Sequence, residues 1–405
     1  MPGPLEGFKV VDLSAVVSGP LTGALLADQG AEVIKVERPV SGDIQRNVGS
    51  KRNGFSGFFH VLNRGKRSIA LNLTTHEGKE IVKRLTKDAD VVLQNFRPGV
   101  VERLGIDYET LSKDNPGLVY LSISGFGQTG PRAGDRAYDP IIQAYSGITE
   151  VQGSIHREHA DQPEQVNMLL LDKLTAWTGC QAITSALLAR SRTGRGQLVE
   201  LSMLDTAISF IWSDVAADLI LQSDDPERGD IDRRPPIRAS GTMQTFSDGH
   251  GFSITLTQPE FEGMCRAYGL DHIAEDPRFS SLDARMRNRR ELREMITSEI
   301  DVVALELTVA EAEERLLRHE VPFARARRLD ELPDDAQVRH NEMFRELDHP
   351  VAGTLRDARP APRYTGTPTQ FSAPAPTVGE HTRDILTEVG MAADIDELMK
   401  RGIIS

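Results

Sequence analysis

Cysteine is nearly absent: among 405 residues only Cys180 and Cys265 occur, far apart and without metal-ligand spacing. No metal site is therefore expected, and the compartment reads as reduced and intracellular, taken as the cytoplasm. Positive charge is also short. Lys and Arg number 47 against 60 Asp and Glu, a net charge of −13, whereas a nucleic-acid binder needs a clustered excess of cations to neutralise phosphate. An anionic ligand would require the few basic residues to gather where it binds. No uninterrupted apolar stretch reaches membrane-spanning length, and Met1-Pro2-Gly3-Pro4-Leu5 lacks a basic region followed by an apolar core. Neither a membrane helix nor a signal peptide is expected. With 39% apolar and 26% charged residues and no low-complexity block, the chain has the composition of a folded α/β enzyme.

What is present is alternation. Phe8 to Leu13 reads as a buried strand, an apolar run through Leu21, Leu25 and Leu26 as a helix closed by Gly30, and Ala31 to Glu37 as a second strand. The pattern returns at Ser68 to Leu73, in a helix from about Thr75, at Ala89 to Leu93 and at Leu118 to Ile123. Strands alternating with helices predict an α/β fold, a Rossmann-like large domain with a parallel sheet, whose ligands gather beyond the strand C-termini. Long helices are expected from Leu174 to Arg190 and from Met203 to Leu221.

The polar run Ser223 to Asp230 marks a domain boundary. The division expected is a large domain over 1–222, a smaller α/β domain over 223–335, and a linker with a C-terminal segment, 336–405, returning to the large domain. In the small domain, strands are expected near Met243–Phe246 and Phe252–Thr255, and helices from Gln258 to about Leu316. Past Pro350 the chain reads as extended until Pro376, before a last helical segment from Thr382 to Arg401.

One carboxylate stands out. Asp172 lies between the apolar run Met168-Leu169-Leu170-Leu171 and the expected helix start, where Asp is a favoured N-cap. A helix N-terminus also keeps a carboxylate ionised and can hold an oxyanion forming beside it, so cap and nucleophile are compatible roles.

Several motifs run in the order of a known family. Asp12-Leu13-Ser14 with Gly19-Pro20 and Ala31-Glu32-Val33-Ile34-Lys35-Val36-Glu37-Arg38-Pro39 resembles the opening of the class III CoA-transferases. This is the CaiB/BaiF family, which includes formyl-CoA transferase, carnitine CoA-transferase and alpha-methylacyl-CoA racemase. Asn63 with Lys66-Arg67-Ser68, Asn95-Phe96-Arg97-Pro98-Gly99, Ser124-Gly125-Phe126-Gly127, Tyr138-Asp139 with Gln143, Thr193 to Gln197 and Gly379-Glu380-His381-Thr382 extend the resemblance over nearly the whole chain.

The resemblance implies that Asp172 is the catalytic aspartate, with Asp139 and Tyr138 beside it. It further implies that Val16, Arg38, Lys66, Leu71, Asn95, Phe96, Arg97, Arg103 and Arg136 fall in segments contacting coenzyme A, a substrate rather than a permanently bound cofactor. Guanidinium forks suit its phosphates. An interlinked homodimer is implied as well. The activity implied is transfer of CoA from an acyl-CoA to a free carboxylic acid through an aspartyl anhydride and an aspartyl-CoA thioester. An Asp with the usual pKa near 4 is already ionised at neutral pH and needs no base to attack. Backbone amides near the helix start and at Gly125 to Gly127 are candidate oxyanion donors.

The sequence departs from formyl-CoA transferases at Thr255-Leu256-Thr257-Gln258-Pro259-Glu260, which has no glycine run and reads as a helix start with Pro259 in its first turn. Three other readings compete. A 2-methylacyl-CoA racemase needs an acid and a base on opposite faces of a carbon. That branch has His before the aspartate, and this chain has Tyr138. An NAD-dependent oxidoreductase needs G-x-G-x-x-G, which Ala15 to Pro20 lacks. A CoA-binding protein without turnover has no need of Asp172 and Asp139. His156 and His159 in a polar loop, and Arg233, Arg234 and Arg238 near the small domain, have solvated side chains as their ordinary reading.

Overall fold

The computed structural model describes residues 3–153, 162–221, 241–369 and 373–405. The expected boundary at 223–230, together with His156, His159, Arg233, Arg234 and Arg238, lies outside these residues. Two compact units are present: Met1–Ile211 with Gln337–Ser405, and Trp212–Ala336.

The first unit is built on a six-stranded parallel sheet of β1 (Lys9–Asp12), β2 (Glu32–Glu37), β3 (Lys66–Ala70), β4 (Val91–Gln94), β5 (Val119–Ser124) and β6 (Gln197–Ser202). Their spatial order is β3-β2-β1-β4-β5-β6. The order reverses between β1 and β4, the place where an open parallel sheet leaves a crevice at its carboxyl edge.

Successive side chains on a strand point to opposite faces. Val11, Ile34, Val92 and Tyr120 enter one core cluster, while their chain neighbours Val10, Val33, Val91 and Val119 enter another. A sheet buried on both faces produces continuous apolar runs, which is why five of the six strands were expected. The sixth, Gln-Leu-Val-Glu-Leu-Ser, sits at the sheet edge with half its residues exposed and was not recognised as a strand.

Three helices frame the carboxyl edge: α1 (Ser18–Asp28), α2 (Asp139–Tyr145) and α3 (Leu170–Thr193). Gly30, at φ +97°, ends the turn after α1. The mainly extended stretch expected after Pro350 is corrected by an antiparallel hairpin, Phe344–His349 with Gly353–Ala358, turning at Gly353 with φ +70°. The final segment is two helices, Thr382–Glu388 and Ile395–Lys400, interrupted at Gly390 with φ +75°. It lies against the first unit through the Leu71–Ile404 bridge and the Ser68 amide, which donates to His381 Nδ1.

The second unit carries an antiparallel sheet, with strand Gly249–Ile254 between Gly241–Phe246 and Phe323–Arg325. Its helix Gln258–Ala267 begins with Thr257 and Glu260 capping each other's amides. Buried Arg285 donates to Gln258 Oε1 and to the Leu256 and Thr257 carbonyls, so the glycine-free stretch is pinned. No helix among the described residues is long and apolar enough to cross a membrane.

Candidate active site

The α3 helix begins two residues earlier than Asp172, at Leu170, and its N-cap Leu169 makes no side-chain bond. Asp172 is therefore not the N-cap that local sequence suggested. It stands in the first turn, where amide hydrogens lack intrahelical acceptors. Its own amide donates to Asp139 Oδ2 at 2.8 Å. A carboxylate 33 positions away thus does what a local cap would do.

Asp139 opens α2 and is 1% exposed. Its Oδ1 accepts from Gln143 Nε2 at 2.6 Å, one turn on. Gln143 then binds the chain entering α3: its Nε2 donates to the Met168 carbonyl at 3.2 Å, and its Oε1 accepts from the Val166 amide at 3.0 Å. The two helix starts are thereby tied through one buried Asp–Gln pair.

A third helix start faces the same point. The amide of Ser18, the first residue of α1, favours the ionised form of the Asp172 carboxylate. The helices α1 and α3 pack closely because Gly179 has no side chain: a Cβ there would lie 3.1 Å from Thr22 Oγ1 and 3.1 Å from Leu121 Cδ2. Thr22 Oγ1 donates to the Ala176 carbonyl across that contact at 3.3 Å.

These surroundings overturn the ordinary carboxylate pKa assumed from sequence. Burial first, and the adjacent Asp139 carboxylate second, push Asp172 up to about 7, with the Ser18 amide opposing them. The side chain remains partly accessible.

The connection from β1 to α1 is held from several sides. Asn95, just past β4, accepts from the Ala15 amide at 2.9 Å and donates to its carbonyl at 2.7 Å. Val16 has φ +71°, a left-handed conformation that a β-branched residue rarely adopts. Phe96 packs half-buried against the core, and Leu71 is 1% exposed within it.

Lys66 does not reach solvent. Its ammonium donates to Asp12 Oδ2 at 2.7 Å, the Pro20 carbonyl at 2.7 Å and Asn63 Oδ1 at 2.9 Å, which uses all three hydrogens. Burial pulls Lys66 down to about 8, yet the neighbouring Asp12 keeps it charged at neutral pH. Lys66 is a buried strut, not a phosphate contact.

Arg38, Arg97, Arg103 and Arg136 are exposed on the loops beyond β2, β4 and β5 and on the first turn after β4. Arg103 lies over Gly99, where a Cβ would come within 3.1 Å of Nη1. Tyr138 is 64% exposed and makes no capping bond. Of the candidate oxyanion donors, the Gly127 amide is occupied by Ser124 Oγ at 3.1 Å. Sequence reasoning missed Ser18, Asp43 and the burial of Lys35. A lysine in the middle of the apolar strand Val33-Ile34-Lys35-Val36 was the available signal.

Comparison with known proteins identifies relatives of the whole chain. A family model described as CoA-transferase family III matches residues 5–382. Succinate–glutarate CoA-transferase of Agrobacterium fabrum is 32% identical over 401 residues, covering 95% of this chain and 96% of that protein. Succinyl-CoA:glutarate CoA-transferase of Mus musculus is 32% identical over 411 residues, covering 99% and 90%. The crystal structure of a CaiB/BaiF family protein from Brucella suis superposes with a TM-score of 0.79 at 30% identity, covering 96% of this chain and 100% of that one.

Proposed function

The chain belongs to CoA-transferase family III and is an enzyme of that class, and we propose that it moves CoA between an acyl-CoA and a free carboxylic acid with Asp172 as nucleophile. The observation that carries this reading is Asp172 itself, partly buried in the first turn of α3 with its amide held by Asp139 at the start of α2 and its carboxylate open to attack.

In the ionised form Asp172 attacks the thioester carbonyl carbon. A C–O bond forms, the C–S bond breaks, and CoA thiolate leaves a mixed anhydride. The thiolate then attacks the aspartyl carbonyl carbon, releasing the donor carboxylate and leaving an aspartyl-CoA thioester. An acceptor carboxylate repeats the two steps in reverse order, so no proton is consumed. The barrier is lowered chiefly by holding the carboxylate and the thioester in register.

Arg38, Arg97, Arg103 and Arg136 supply exposed cations for the CoA phosphates. The relatives' names support succinyl-CoA as donor and a short dicarboxylic acid as acceptor. The proposed assembly is an interlinked homodimer. No observation favours racemisation: Tyr138, 64% exposed, stands where the racemase branch has His.

The test is Asp172→Asn. It keeps size and a side-chain oxygen but cannot form the anhydride, so transfer from succinyl-CoA to glutarate should fall by at least about 10³-fold while CoA still binds. Transfer near the wild-type rate, with no deamidation seen by mass spectrometry, would sink the proposal.

A further inference from the structure

Beneath the turn that leads into α1 lies a cluster of buried charges the mechanism does not use. Lys35, in the centre of β2, is fully buried and lies level with Asp12 of β1. Its ammonium donates to the Ser14 carbonyl at 3.0 Å and to Asp43 Oδ2 at 3.0 Å. Asp43 turns its other oxygen to the amides of Val16, at 3.3 Å, and Gln45, at 3.1 Å. Glu37 Oε2 accepts from the Asp43 amide at 2.9 Å and is itself paired with Arg46.

The polar groups of the turn are therefore divided among side chains from separate elements. Asp12 takes the Ser14 amide and hydroxyl, Lys35 the Ser14 carbonyl, Asn95 both backbone groups of Ala15, and Asp43 the Val16 amide. Beyond Val16 and Val17 comes Ser18, which opens α1, and one turn on Thr22 Oγ1 donates to the Ala176 carbonyl of α3 at 3.3 Å. The turn is tight as well as strained: a Cβ on Gly19 would sit 2.2 Å from Ser14 Cβ.

A buried ion pair is weak grounds for stability, since apolar residues of equal volume often serve as well. Directional bonds to particular backbone atoms are something apolar residues cannot provide. The strain at Val16 also points away from packing alone, because a left-handed β-branched residue persists only where its surroundings impose it.

We propose that the Lys35–Asp43 pair is a positioning device for the nucleophile: by holding Val16 left-handed it fixes the start of α1, the helix packed against α3 at Thr22 and Gly179, and so the place of Asp172. This rests on the reading of Asp172 as nucleophile. Without Asp43, Val16 relaxes to negative φ, the turn shifts, and the start of α1 no longer holds α3 and its Asp172 in place. Displacement by about 1 Å costs up to about 10²-fold in rate.

The test is a double-mutant cycle on kcat for transfer from succinyl-CoA to glutarate, with Asp43→Ala and Val16→Gly. Glycine visits positive φ freely, so it should restore the left-handed turn in the absence of Asp43. Asp43→Ala is expected to lower kcat about 10- to 100-fold. Adding Val16→Gly to Asp43→Ala should change kcat more favourably, by about fivefold or more, than Val16→Gly does in the wild-type background. A purely structural role predicts no such coupling in kcat, with losses following the melting temperature.

Should Asp43→Ala fail to fold, Asp43→Asn, which keeps the shape and breaks the charge pair, takes its place in the same cycle. Wild-type kcat in the folded Asp43 variant, or the absence of coupling, overturns the positioning role. Asp172→Asn run alongside separates the two readings: if it retains transfer, the nucleophile itself is wrong, and if it alone abolishes transfer while Asp43 variants do not, only the positioning inference falls.

Discussion

Asp139 Oδ2 accepts the backbone amide of Asp172 at 2.8 Å, so the residue that caps the start of α3 also places a second carboxylate beside the proposed nucleophile. Capping fixes where Asp172 stands, and the added charge, with burial, raises its pKa to about 7. Positioning and ionisation are therefore opposed in one contact.

The first consequence is a pH profile. In the proposed mechanism only the ionised carboxylate attacks, so the rate of CoA release from the thioester should rise with unit slope through about pH 7 and level off above it. At pH 6 it should be about a tenth of the plateau. Single-turnover release of CoA from succinyl-CoA between pH 5.5 and 8.5 checks this, and a flat profile contradicts it.

Asp139→Asn removes the neighbouring charge and should move that inflection to lower pH, because Asp139 acts to raise the Asp172 pKa. The plateau should fall at the same time. Asn offers one oxygen where Gln143 Nε2 and the Asp172 amide now each have their own. An unchanged inflection would remove Asp139 from the electrostatics of the site.

Stability should respond in the opposite sense to activity. The folded state holds the Asp172 proton up to about pH 7, while the unfolded chain releases it near 4. The contribution of Asp172 is thus fully present below about pH 4 and is lost as pH rises to about 7. Asp172→Asn does not titrate, so its melting temperature relative to wild type should be higher at pH 8 than at pH 5. Thermal melts at the two pH values decide it.

Lys66 and Arg38 should behave differently although both are basic. Lys66→Met strands Asp12 in the interior and should cost about 3–5 kcal/mol in urea denaturation. Arg38→Ala should leave stability within about 0.5 kcal/mol and raise the KM for the CoA thioester, more so at low salt. Equal effects of the two substitutions on KM, with no loss of stability for Lys66→Met, would reverse their assignment.

Local sequence was enough for the elements whose signals are local. The apolar runs at Val10, Val33, Ile69, Val91 and Val119 announced strands because both faces of the sheet are covered, and Gly30 announced the end of α1. The hairpin Phe344–His349 with Gly353–Ala358 was hidden by its flanking proline-rich stretch, and the edge strand Gln197–Ser202 by its exposure. The candidate nucleophile was legible only through resemblance, since an Asp before a helical run has an ordinary capping explanation.

What tertiary structure alone decided is the set of partners. Asp139 meets Asp172 across 33 positions, Lys66 meets Asp12 across 54 and Asn95 meets Ala15 across 80. By itself the sequence determined the alternating elements and the residue types available at the carboxyl edge. It could not determine whether Lys66 faces phosphate or a buried aspartate, or whether Asp172 titrates near 4 or near 7. Propensity and periodicity depend on neighbours within a few residues, whereas desolvation and Coulomb interaction depend on distance in space, and the strand order sets those distances.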